Sequence, residues 1–133
     1  MDIKSEQEML DFGREYASRL VKPAVIELIG DVGAGKTTFV RGLAQGLGVN
    51  EPVTSPSFTI SKSYALPGGG RLIHYDFYRL PEPGLMVDDL MDNLKDKGNV
   101  VVIEWGESVA GLLPKQHATI KIEYTDEGRK IIV

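Results

Sequence analysis

Residues 30–37 read G-D-V-G-A-G-K-T, the spacing G-x-x-x-x-G-K-[ST], and these residue types at these intervals suit the gripping of a phosphate chain. Glycines at 30, 33 and 35 let backbone N–H groups turn inward into a concave anion site. The positive N-terminal end of a following helix strengthens it. Lys36 reaches β- and γ-phosphate oxygens, and the Thr37 hydroxyl is suited to hold Mg²⁺. The candidate phosphate-binding residues are Asp31, Val32, Gly33, Ala34, Gly35, Lys36, Thr37 and Thr38. The same spacing also arises by accident in glycine-rich turns. Here the apolar run "AVIELIG" (24–30) precedes it and a helical pattern follows, which is the context a nucleotide site requires.

Phosphate chemistry of this kind needs a carboxylate at the end of a neighbouring strand, for the metal or its waters. Glu104 ends the apolar run "VVVI" at 100–103, and Asp76 lies in the less hydrophobic "LIHYDFY". For each, the bland alternative is a solvated strand end or half of a surface ion pair. That alternative weighs more for Asp76, whose strand alternates and is expected to keep one face open. If both serve the site, one holds the metal while the other orients water or a moving loop. "TSPSF" (54–58) is a polar, proline-restrained segment placed where a γ-phosphate sensor belongs, and a plain turn is the competing reading. His74 reads as a packed strand residue and Trp105 as a packing aromatic beside Glu104. "NLKD" (93–96) is a decoy for a guanine reader, because Leu94 holds the lysine position and the tetrad ends a helix.

The elements that must carry these residues are legible in the periodicity. Ser5 with Glu8 fits a capping box, and Met9, Phe12, Tyr16 and Leu20 follow at helical spacing, predicting a helix over 6–20. After the loop, Phe39, Val40, Leu43, Ala44 and Leu47 form a second apolar helical face ending near Gly48. Gly42 and Gly46 cost this helix about 1 kcal/mol each against alanine, and close packing on the sheet is the expected compensation. "FTISKSYAL" and "RLIHYDFYRL" flank "PGGG" as an antiparallel hairpin. A helix with Leu85, Met86, Leu90 and Leu94 inward precedes the buried strand "NVVVIEW". "GESVAGLLP" is a short helical turn, and "ATIKIEY" and "RKIIV" make a final hairpin.

The bulk numbers narrow the class. A chain of 133 residues has room for one core, and 42% hydrophobic with 26% charged residues is ordinary globular usage. Net charge is -4 and Lys and Arg are scattered, so no basic stripe for gripping nucleic acid directly is present. Cysteine is absent, which removes disulfides and thiol chemistry. The polar "MDIKSEQEML" lacks the apolar core of an export signal, and no run is long enough to cross a bilayer. A cytoplasmic protein is expected.

"GDVGAGKTTF", "VTSPSFTI", "HYDFYRL" and "VVIEWGE", in this order, resemble the TsaE (YjeE) family of bacterial P-loop ATPases that serve threonylcarbamoyladenosine synthesis on tRNA. The resemblance spans about residues 5–130. It implies a single α/β P-loop NTPase-like domain over 1–133, with a mixed, mostly parallel sheet, antiparallel hairpins and flanking helices. It implies ATP and Mg²⁺ as ligands, with Thr37 and Glu104 at the metal and Lys36, Asp76 and Glu104 as catalytic residues. Thr54, Ser55, Ser57 and Trp105 match its switch and partner positions, and adenine contacts fall around Glu6 and Arg129. The partners implied are the TsaB–TsaD pair, with tRNA reached only through them. Gly106 departs from the family, where proline or alanine is more usual. The alternatives are a small-molecule phosphotransferase with Asp76 as base, against which the missing arginine-rich lid counts, and a nucleotide-sensing module that scarcely hydrolyses ATP.

Overall fold

In the computed structural model, which describes residues 1–31, 33–54, 56, 61–77 and 84–133 (for Leu85 and Ser108 the backbone alone), seven strands form one sheet. The strands are β1 (Asp2–Ile3), β2 (Ala24–Ile29), β3 (Ser61–Ala65), β4 (Arg71–Asp76), β5 (Val100–Glu104), β6 (Ala118–Thr125) and β7 (Gly128–Ile132), in the order β1-β7-β6-β2-β5-β4-β3. The four central strands β6, β2, β5 and β4 run parallel. The flanking pairs β1–β7, β7–β6 and β4–β3 are antiparallel. The fold is therefore α/β with a mixed sheet around a parallel centre, as expected. Among the described residues no helix is long and apolar enough to cross a membrane.

Side chains of a strand alternate between faces, and β5 makes the division plain. Val100 and Val102 join the core beneath α1 (Glu6–Arg19) and α2 (Lys36–Leu47), while Val101 and Ile103 join the one beneath α3 (Leu85–Lys95). By the same parity Glu104 emerges on the α2 face. In register, Glu104 lies beside Leu28 of β2 and Asp76 of β4. The two acids of distant sequence thus become neighbours at the carboxyl ends of parallel strands, where ligands bind in open α/β sheets.

Helix α1 starts as its sequence dictates, with the Ser5 hydroxyl accepting from the Glu8 amide at 3.1 Å. The return bond of the capping box is displaced by one residue, since the Glu8 carboxylate accepts from the amide of Lys4 at 2.6 Å. α3 is tied to β4 by the Tyr75 hydroxyl, which donates to Asp89 at 2.5 Å and accepts from Asn93 at 2.7 Å.

Two expectations are corrected. Gly42 and Gly46 do not meet the sheet, for it is α1 that approaches them. A Cβ on Gly42 would stand 2.3 Å from the Leu10 carbonyl oxygen, and one on Gly46 would stand 2.6 Å from the Ala17 Cβ. Phe39 joins the same helix contact, meeting the α1 rings of Phe12 and Tyr16 at 5.5 and 5.8 Å. Secondly, β4 keeps no open face, because Leu72, Ile73, His74 and Tyr75 are all buried. Leu72 joins the core beneath α1 and α2 while Ile73 and Tyr75 join the one beneath α3, so both faces of the strand are covered. The predicted strand residues 58–60 and 78–80 lie outside those described.

Gly42→Ala is expected to destabilise the protein by about 2–3 kcal/mol, since backbone on backbone cannot yield as a flexible side chain does. Helix propensity alone predicts a gain of about 1 kcal/mol, so urea melts give opposite signs for the two accounts. Gly111→Ala, with nothing within 4 Å of its Cβ, is the neutral control.

Candidate functional site

β2 delivers the chain into the glycine loop, and α2 carries it away. Gly33 and Gly35 take φ of 82° and 109°, a backbone region that residues with a Cβ adopt only under strain. Gly35 caps α2 with no side-chain cap hydrogen bond. The first-turn N–H groups of a twelve-residue helix therefore face the loop without a side-chain cap from the residue that starts it. This is the arrangement that favours an anion.

Lys36, the first residue of α2, is only 6% exposed. Its ammonium donates to the Gly30 carbonyl at 2.6 Å, lies 3.4 Å from Glu104 Oε1 and sits 4.5 Å from the centre of the Trp105 ring. Thr37 follows it at the helix start. Glu104 is also buried, and its second oxygen, Oε2, is hydrogen-bonded to His74 Nε2. Burial pushes the Glu104 carboxyl up, but the hydrogen bond from His74 and the positive charge and hydrogen bond of Lys36 outweigh it. The net result holds Glu104 below the usual glutamate range. A carboxylate at that position is thus a stable anion facing the helix start.

Trp105 takes φ 56°, the one non-glycine residue with positive φ among those described. A bulky side chain in this region costs about 1–2 kcal/mol. The turn from β5 into the 3-10 helix Gly106–Leu112 imposes it, and the ring lands against Lys36. Trp105 also packs on the α3-side core, so the expectation of a packing aromatic holds, with an ammonium contact added.

A cleft of about 380 Å³ opens beside the loop, lined among others by Ile3, Glu6, Met9, Gly35, Thr38 and Arg129. Arg129 comes from β7 and donates to the Ala34 carbonyl at 3.1 Å and to the Gly33 carbonyl at 3.5 Å. Its guanidinium lies 4.2 Å from the centre of the Tyr124 ring, its cross-strand partner on β6. Sequence reasoning missed Tyr124, although a Tyr and an Arg placed opposite each other in a hairpin are a readable pair. Glu6 and Arg129, 123 positions apart in number, are brought to one cleft.

Thr54 is exposed but anchored, its hydroxyl accepting from Lys62 Nζ and its amide donating to the Tyr64 hydroxyl at 3.4 Å. Arg41 of α2 donates to the adjoining Val53 carbonyl at 3.2 Å. Val32, Ser55 and Ser57 lie outside the described residues. Asp76 stands beside Glu104, as the register requires. His74 is packed, as read from sequence, yet its contact with Glu104 was not anticipated.

The chain has clear likenesses among known proteins. A family model described as "Threonylcarbamoyl adenosine biosynthesis protein TsaE" matches residues 3–131. The chain is 35% identical over 134 residues to the tRNA threonylcarbamoyladenosine biosynthesis protein TsaE of Haemophilus influenzae, covering 97% of this chain and 84% of the relative. It is 38% identical to the protein of the same name from Treponema pallidum, covering 97% and 94% respectively. Among solved structures, it is similar to the crystal structure of Bacillus subtilis YdiB, with TM-score 0.76 and 33% identity over 96% of this chain and 78% of that one.

Proposed function

Because the chain belongs to the TsaE family of threonylcarbamoyl adenosine biosynthesis proteins, we propose that it is the subunit that binds and hydrolyses ATP, with Mg²⁺, to drive turnover of a TsaB–TsaD pair in that pathway. The observation that carries this reading is the meeting of Lys36, at the start of α2, with Glu104, 3.4 Å away at the end of β5. A structural ion pair has no need of a glycine loop with left-handed turns and an open helix start beside it.

The residues fit the ligands assigned to them. Loop amides and the α2 N-terminus suit a triphosphate, and the Thr37 hydroxyl with the Glu104 carboxylate is the all-oxygen donor set that Mg²⁺ prefers. When bound, the metal would supply neutralisation of phosphate charge. Lys36 adds a fixed positive charge where the transferring phosphoryl group develops negative charge. Asp76, beside Glu104, is placed to orient the attacking water or to latch a moving segment. Ile3 and Met9 give the cleft an apolar wall for a base, while Glu6 and Arg129 supply its polar edge. The anchoring of Thr54 through Lys62 and Tyr64, and of the adjoining Val53 through Arg41, ties the start of the candidate switch to both β3 and α2. Net charge of -4 is consistent with partners doing the RNA holding.

Phosphate release from ATP and Mg²⁺ by the purified chain, with and without the TsaB–TsaD pair, tests the reading. The pair is expected to accelerate release by about tenfold or more, which is about 1.4 kcal/mol or more off the barrier. An unchanged rate would count decisively against a partner-driven ATPase. Binding of ATP with no hydrolysis in a single turnover would favour a sensing module instead.

A further inference from the structure

We propose that His74 is a positioning residue for Glu104, a fixed donor that occupies Oε2 so that Oε1 alone is presented to Lys36 and the α2 N-terminus. This rests on the reading of Glu104 as a ligand of the metal site. His74 shares the α2-facing side of β4 with Asp76, two residues on, and its register partner is Val102, two residues before Glu104. The imidazole is fully buried and its Nε2 is engaged with Glu104 Oε2. The other carboxylate oxygen is 3.4 Å from the Lys36 ammonium. A glutamate held at one oxygen by a fully buried ring, and at the other by a buried ammonium, is oriented before any ligand arrives.

The second ring nitrogen carries the argument further. Nδ1 is buried with no hydrogen-bond partner among the described residues. Buried polar atoms are almost always paired, so this one calls for a cause. If the proton sat on Nδ1, a donor would be buried without an acceptor and the Nε2 lone pair would be set against a carboxylate oxygen. With the proton on Nε2, only a lone pair is left unpaired and the carboxylate gains a charge-assisted bond. The geometry therefore selects one tautomer. A leucine would fill a purely packing position without burying an unpaired nitrogen. The ring is explained if its task is the carboxylate, as with the partners that orient metal ligands from behind.

The test compares His74→Leu, which removes the donor, with His74→Gln, which returns an N–H at similar reach, both in the full chain. Manganese serves as the metal probe, its affinity for the ATP-loaded protein read by electron paramagnetic resonance, and ATP affinity is measured separately in EDTA. His74→Leu is expected to weaken manganese binding by about 10- to 100-fold and to leave ATP affinity in EDTA unchanged, with His74→Gln recovering most of the loss. Parent-like metal affinity in His74→Leu overturns the proposal. So does a glutamine variant as weak as the leucine one while both melt like the parent. A readout without nucleotide guards against misfolded variants: long-range proton–nitrogen NMR of the parent should show Nε2 protonated and Nδ1 bare, with the Nε2–H signal moving in Glu104→Gln. A proton found on Nδ1 overturns it. If the parent binds no ATP under any condition, the nucleotide reading fails, while the NMR result still decides the His74–Glu104 arrangement.

Discussion

Lys36→Ala is expected to slow phosphate release by about 10²- to 10³-fold, or roughly 3–4 kcal/mol, the range for removing one preorganised group that stabilises transition-state charge. The side chain is buried at the helix start, and its ammonium is bounded on three sides by the Gly30 carbonyl, Glu104 and the Trp105 ring. A charge held this firmly needs little reorganisation during the reaction, which is why its removal costs more than a surface lysine. Lys36→Arg is not expected to rescue, because a planar guanidinium is too broad for a position with a carbonyl oxygen at 2.6 Å. Lys36→Met keeps the aliphatic stem and separates loss of charge from loss of packing. Single-turnover release, with calorimetric titration of ATP in parallel, measures both terms. Full activity in Lys36→Met would remove the glycine loop from the chemistry.

The parts of this arrangement that sequence exposes are those written in local pattern. β5 is apolar without a break up to Glu104, and β2 is apolar but for Glu27, which is the signature of strands at the centre of a parallel sheet. The loop and α2 follow from glycine spacing and helical periodicity. β4 misleads because two of its interior residues are polar in name, His74 and Tyr75. Their partners, Glu104 at 30 residues' distance and Asp89 at 14, belong to other elements. The same locality hides β1, two residues long and defined only by its pairing with β7. Gly42 and Gly46 were assigned to the wrong neighbour, although Gly13 in α1 offered the clue. A Cβ on Gly13 would lie 2.5 Å from the Phe39 carbonyl oxygen, so small residues on both helices mark one close crossing. Arg129 reaches the carbonyl of Ala34 in the loop from 95 positions away, a relation that no local periodicity could reveal.

Glu104→Gln is the substitution expected to damage both stability and activity, for a reason that lies in donor and acceptor counts. Both oxygens of Glu104 face donors, His74 Nε2–H on one side and the Lys36 ammonium on the other. An amide has one oxygen, so its NH₂ must be turned toward one of these donors. Moving the imidazole proton to Nδ1 would relieve the clash only by burying an N–H in a place that has no acceptor among the described residues. Leaving Lys36 without its buried counter-charge brings the expected loss to about 3 kcal/mol. The pH dependence has a definite sign. Glu104 titrates lower in the folded chain than its ordinary value of 4.5, so the unfolded chain binds more protons in the interval between the two values. The stabilisation is therefore complete above that ordinary value and is lost as pH falls through the folded one. Urea melts from neutral pH into acid should show the parent losing stability below pH 4.5, with Glu104→Gln weaker at neutral pH and flatter over the acid range. Equal slopes for the two proteins would mean that this carboxylate is not held as an anion by His74 and Lys36, and the account of the site would lose its electrostatic centre.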